Sequence, residues 1–139
     1  MSPLDNDSPD RGAGSGVPGQ SLAVMAEVLY LANLLLLPGL AFLILLAEWR
    51  KHRHTAPALA RCHLRQTLAA SLWAGVLLVI ANAAIILLGG YRQPSTWVVT
   101  ILYFTMFHST FVLLGVLGLA KAMAGKPYIY PLIGRRCDV

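Results

Sequence analysis

The 139-residue chain is 57% hydrophobic and only 12% charged, with 11 Lys and Arg against 6 Asp and Glu. Soluble domains carry about 25% charged residues, so this composition excludes an ordinary soluble globule and makes lipid the solvent of much of its surface. The length suits one domain, and the net charge of +5 comes with no nucleic-acid-binding motif, so it reads as charge facing anionic lipid.

Residues 1–20 form a leader rich in Gly, Ser, Pro and Asp. They have too little apolar surface to offset ordering entropy and are expected to be disordered. The leader lacks the positive start and short apolar core of a cleavable signal, so the first apolar stretch is expected to act as an uncleaved signal-anchor. The domain itself is expected over residues 21–139.

Three apolar stretches follow, at about 24–47, 68–90 and 97–120. Each reaches the roughly 20 residues needed to cross a bilayer core. The first contains Asn33 and the pair Pro38–Gly39, where a proline predicts a kink. Trp49 marks its inner end as an interfacial aromatic. Thr55 and Pro57 carry helix-start chemistry, predicting a short helix from about Pro57 that either lies on the inner surface as an interfacial helix or runs straight into the second span. Gly89–Gly90 stop that span, Tyr91 and Trp97 frame a short outer turn, and Pro94 restarts the third. The tail, Tyr128 to Leu132, alternates aromatic and apolar residues and is expected to lie along the membrane surface. The predicted fold is therefore an all-α membrane protein with three transmembrane helices, a short interfacial helix and an interfacial tail.

Charge supplies direction. Arg50, Lys51, Arg53, Arg61 and Arg65 crowd the loop after the first stretch, and Lys121, Lys126, Arg135 and Arg136 follow the third. Basic residues near span ends stay cytoplasmic. With three spans this places the N-terminus outside and the C-terminus in the cytoplasm. Cys62 and Cys137 then both face a reducing compartment, where a structural disulfide is not expected.

Few residues suggest chemistry. At ~1.5 Å per residue, Asn33 lies about 13 Å from the outer end of its span, Asn82 about 12 Å and His108 about 16 Å. These three are expected to form one intramembrane polar layer, read either as interhelical hydrogen bonding or as a relay or ligand site. The small-residue pairs Ala70/Ala74, Ser71/Gly75 and Gly115/Gly118 suit close helix packing. His52, His54, Cys62 and His63 have no standard zinc spacing. No phosphate loop, nucleophile elbow or acid pair is present, and Glu27 and Glu48 fall at opposite ends of one expected span. The reading is non-enzymatic, with no catalytic residue, metal or cofactor.

Two segments carry a resemblance. His63 and Gln66 form a His–x–x–Gln pattern before the second span, and Tyr128, Tyr130 and Pro131 form a Tyr–x–Tyr–Pro pattern after the third. Over about residues 28–134 the chain resembles the DUF4870/Tic20-like family of small integral membrane proteins. The resemblance implies a bacterial inner-membrane location and an inner-face motif, His63, Gln66, Tyr128, Tyr130 and Pro131, that packs together or docks a partner. It also implies an accessory or scaffold subunit bound to other membrane proteins or to itself, or alternatively a component of a transport or protein-translocation channel.

Overall fold

The computed structural model describes residues 16–134, 136 and 137. Most of the leader expectation, residues 1–15, lies outside them. Within them the chain is all-α, with four helices: α1 (Gln20–Leu35), α2 (Leu40–His52), α3 (Ala58–Leu87) and α4 (Pro94–Met123).

Two of these are long and apolar enough to cross a membrane, α3 and α4, each 30 residues. At ~1.5 Å per residue each is about 45 Å long. Only 22% of the most apolar window of α3, and 11% of that of α4, is buried inside the chain. The core helix of a soluble protein would be mostly covered, so these surfaces need lipid or a partner. Val79 and Leu87 on α3, 68% and 85% exposed, are examples.

The first apolar stretch does not form a span. It folds into a hairpin, with α1 and α2 side by side. Ala26 of α1, Leu45 of α2 and Leu64 of α3 share one buried cluster, flanked by Leu22, Leu29, Trp49 and Leu68. In a single straight helix Ala26 and Leu45 would stand about 28 Å apart, so one leucine could not touch both. Pro38–Gly39 therefore does more than kink the chain. Proline removes a backbone donor, and Gly39 takes φ +87°, a value costly for residues with a Cβ.

The hairpin tip sits about halfway along α3. Asn33, Pro38 and Gly39 line the same cavity as Ser71, Gly75 and Val79. Irregular backbone at membrane depth must have its polar groups satisfied. Here the N–H groups of Leu36 and Leu37 both donate to the Ala32 carbonyl, and that of Gly39 donates to Asn33 Oδ1 at 2.9 Å.

This hairpin changes the sidedness expected from three spans. The Gln20 side-chain amide donates to the Met123 carbonyl at 2.6 Å, and Gly19 packs on Pro57 and Ala60. The start of α1, the α2–α3 loop and the end of α4 thus lie at one end of the bundle. The turn at residues 88–93 lies at the other. We call these the basic end and the turn end.

Of the two alternatives for the helix near Pro57, the chain takes the second: it is the first part of α3, continuous from Ala58. The tail does not simply lie along a surface, because Tyr130 inserts into the bundle and is only 1% exposed. The segment Tyr103–His108 of α4 is π-helical. There the Ser109 N–H donates to the Phe104 carbonyl, five residues back, and the Ser109 hydroxyl donates to the same oxygen at 2.7 Å.

Candidate functional site

Two polar places stand out, one at the basic end and one at mid-depth. The first centres on Glu27, which faces α3, α4 and the tail from the second turn of α1. Its side chain and that of His63 are both 0% exposed. Glu27 Oε1 lies 2.6 Å from His63 Nδ1, and the Tyr130 hydroxyl donates to Glu27 Oε2 at 2.6 Å. His63 Nε2 lies 3.0 Å from the Lys126 carbonyl. A carbonyl can only accept, so Nε2 carries a proton. A second hydrogen bond joins Nδ1 and Oε1.

Glycine makes room for this cluster. A Cβ on Gly118 would stand 2.5 Å from Glu27 Oε2, and one on Gly115 would stand 2.7 Å from the Tyr30 ring. Beside them the Tyr30 hydroxyl donates to the Phe111 carbonyl at 3.0 Å. Ala70 and Ala74 pack in one cluster with Tyr30, Phe111 and Tyr130. The small residues thus serve packing within the chain, apart from Gly75, whose surroundings are open.

Burial, and after it the negative charge of Glu27, push the Tyr130 hydroxyl far above its ordinary value near 10. It therefore stays a donor across the physiological range. Tyr128 is raised for the same two reasons. The cluster ties α1, α3 and the tail together at one point. Being closed to solvent, Glu27 and His63 have no route to a substrate in this arrangement.

Of the inner-face motif, His63, Gln66 and Tyr130 are buried, Tyr128 is partly buried and Pro131 is exposed. The Tyr128 and Tyr130 rings meet edge to face with centroids 5.2 Å apart. The Gln66 amide lies 3.4 Å from Cys137 Sγ. His63 and Tyr130 do not touch directly; Glu27 joins them. The residues alone did not reveal Glu27 as a partner because the first apolar stretch read as one membrane-crossing span. Its signal was an acidic residue inside an apolar stretch, which demands a counter-charge or donors.

Cys62 and Cys137 are disulfide-bonded across 75 residues. This corrects the expectation of two free thiols. The inserted tail brings residue 137 back over the start of α3, which spacing alone does not reveal.

The second place is a cavity of about 690 Å³ beyond the hairpin tip. It exists because α1 and α2 turn back, leaving the turn-end halves of α3 and α4 without a third helix between them. Its walls are mostly apolar, with Asn33, Ser71, Tyr103 and His108 as polar members. Ser71 is 4% exposed, and its hydroxyl has no hydrogen-bond partner among the described residues. His108 sits at the end of the π-helical segment, its ring 5.1 Å from that of Phe104.

Asn33 and His108 therefore line one cavity, but Asn82 does not. Asn82 donates to the Leu78 carbonyl at 2.8 Å and accepts from the Tyr91 hydroxyl at 2.9 Å, next to the turn at residues 88–93. Asn33 has its carbonyl committed to the hairpin tip. Among the described residues no three His, Cys, Asp or Glu side chains converge as a metal site. No family model, no curated protein and no solved structure matches this chain.

Proposed function

We propose that this protein is a non-enzymatic, multi-pass accessory or scaffold subunit of a membrane assembly, which binds a helix of another subunit in the plane of the bilayer. The observation that carries this reading is the cavity beyond the hairpin tip. It places a buried, unpartnered Ser71 hydroxyl among apolar walls. In hydrocarbon such a group favours a helix that brings a polar side chain, a contact worth about 0.6 kcal/mol on average and up to about 2. Close approach is open there because a Cβ on Gly75 meets nothing within 4 Å.

The test is Gly75→Leu, which projects a bulky side chain into the cavity from a position whose Cβ meets nothing within 4 Å. In a mild detergent extract the wild-type protein should migrate within a larger assembly. Gly75→Leu should migrate alone while keeping its helix content. A wild-type monomer with no partner would overturn the proposal.

A second reading, a component of a transport or protein-translocation channel, draws on Asn33 and His108 sharing that cavity and on the Tic20-like resemblance of His63/Gln66 and Tyr128/Tyr130/Pro131. In that case His108→Ala abolishes flux in reconstituted vesicles, and unchanged flux removes the idea. For either reading the same resemblance suggests a bacterial inner membrane. The basic residues gathered at one end favour the cytoplasm for that end, whereas the Cys62–Cys137 bond at the same end favours an oxidising compartment.

A further inference from the structure

A second cavity, about 360 Å³, opens at the basic end between the last turns of α2 and the first turns of α3. Its walls include Trp49, Arg53, Arg61 and Arg65, with the Cys62–Cys137 bond closing one side. We infer that this cavity is a binding site for the phosphate headgroup of an anionic phospholipid.

Four observations support this occupant. Arg61 and Arg65 are four residues apart on α3 and so project from one face, toward Arg53 across the cavity. Among the described residues no acidic side chain is in the lining. Among the described residues the ion pairs are His52–Glu48 and His63–Glu27, and none of these three arginines has a carboxylate partner among them. The level is that of headgroups, because Arg61 and Arg65 lie in the first two turns of α3, just before its apolar run starts at Leu68. Finally, the lining is mixed. Leu64, Ala58 and the Trp49 ring supply an apolar floor for the glycerol and upper acyl chain, and Arg53 already stacks over Trp49 at 5.6 Å.

Guanidinium groups match phosphate oxygens with paired donors. Basic pockets between membrane helices are suited to such headgroups. The inference needs only that α3 and α4 span the bilayer, and it is independent of any partner in the mid-depth cavity.

The experiment uses the full chain in neutral detergent, titrated with dioleoylphosphatidylglycerol or dioleoylphosphatidylcholine and read by native mass spectrometry. Wild type should retain one phosphatidylglycerol in preference to phosphatidylcholine. Arg61→Gln/Arg65→Gln should weaken that retention roughly thirty-fold. Arg61→Lys/Arg65→Lys, which keeps the charge and loses the paired donors, should fall between. Lys51→Gln/Lys121→Gln removes the same charge at the same end of the bundle but outside the cavity, and should retain lipid like wild type. Size-exclusion profiles identify any variant that fails to fold, and the Lys variant then replaces it in the comparison. Equal retention of the two lipids by wild type would overturn the inference. So would an equal loss in Lys51→Gln/Lys121→Gln. Displacement by inorganic phosphate at the lipid's own concentration would reassign the site to free phosphate and overturn the lipid assignment.

Discussion

Replacing Glu27 by alanine removes the acceptor shared by His63 Nδ1 and the Tyr130 hydroxyl, both at 2.6 Å. The side chains of Glu27 and His63 are 0% exposed, so solvent cannot replace what is lost. Breaking a buried pair by deleting one partner costs about 3–5 kcal/mol. Orphaning the Tyr130 donor adds about 1–3 kcal/mol. The two share one site and will not add fully, so a loss of about 4 kcal/mol or more is expected for Glu27→Ala. Glu27→Gln should be much milder. Its amide nitrogen can donate to a neutral His63 Nδ1 while its carbonyl accepts from Tyr130, and His63 Nε2–H still reaches Lys126. Every hydrogen bond is kept and only charge assistance is lost, about 1–2 kcal/mol. Reversible unfolding in mixed micelles, followed by circular dichroism, measures both. A Glu27→Ala within 1 kcal/mol of wild type, or a Glu27→Gln as damaging as Glu27→Ala, would refute the reasoning; roughly 1 kcal/mol is the level of an ordinary exposed contact.

Other expectations follow from the same geometry. Gly118→Ala should cost about 1–3 kcal/mol by overpacking against Glu27, whereas Gly75→Ala should be near neutral; the same unfolding assay compares them. Tyr130 has a raised folded-state value, so its contribution is intact below about pH 10, its unfolded value, and declines above that, by at most about 1.4 kcal/mol per pH unit. Tyr130→Phe should flatten the alkaline limb of a stability–pH profile, and an unchanged limb would show that the hydroxyl is not held as described. Asn33→Ala frees the Gly39 N–H at the hairpin tip and should cost about 1–2 kcal/mol, read as faster hydrogen exchange confined to residues 36–41. Cys62→Ser/Cys137→Ser should lower stability by about 2–4 kcal/mol, and dithiothreitol should reproduce the loss in wild type but leave the double variant unchanged.

Much of this architecture was legible in the residues. Apolar length identified α3 and α4, and Gly89–Gly90 with Pro94 located the turn between them. The hairpin was not legible, because a mostly apolar stretch of 24 residues followed by basic ones satisfies the length rule whether it crosses the bilayer or turns back. Pro38–Gly39 was the available clue. Proline inside a membrane helix usually bends it, so the full reversal shows only when Leu45 and Ala26 are seen in one cluster. The candidate site failed for the same reason. Read as a span, the first stretch puts Glu27 at the end opposite His63 and Tyr130. Read as a hairpin, it puts all three at one level. His63 and Tyr130 were singled out from the flanking patterns without the acid that joins them. The polar layer separated because Asn82 was ranked by depth alone, while Tyr91 from the turn at residues 88–93 was free to claim it.

The account rests most directly on the hairpin. Single cysteines placed by Gln20→Cys, Thr55→Cys, Gln93→Cys and Ala124→Cys, in the Cys62→Ser/Cys137→Ser background, can be labelled in intact membranes with an impermeant maleimide. Residues 20, 55 and 124 should react from one side, and residue 93 from the other. Labelling of residue 20 together with residue 93 would mean that the first apolar stretch crosses the membrane, and would contradict the fold described above.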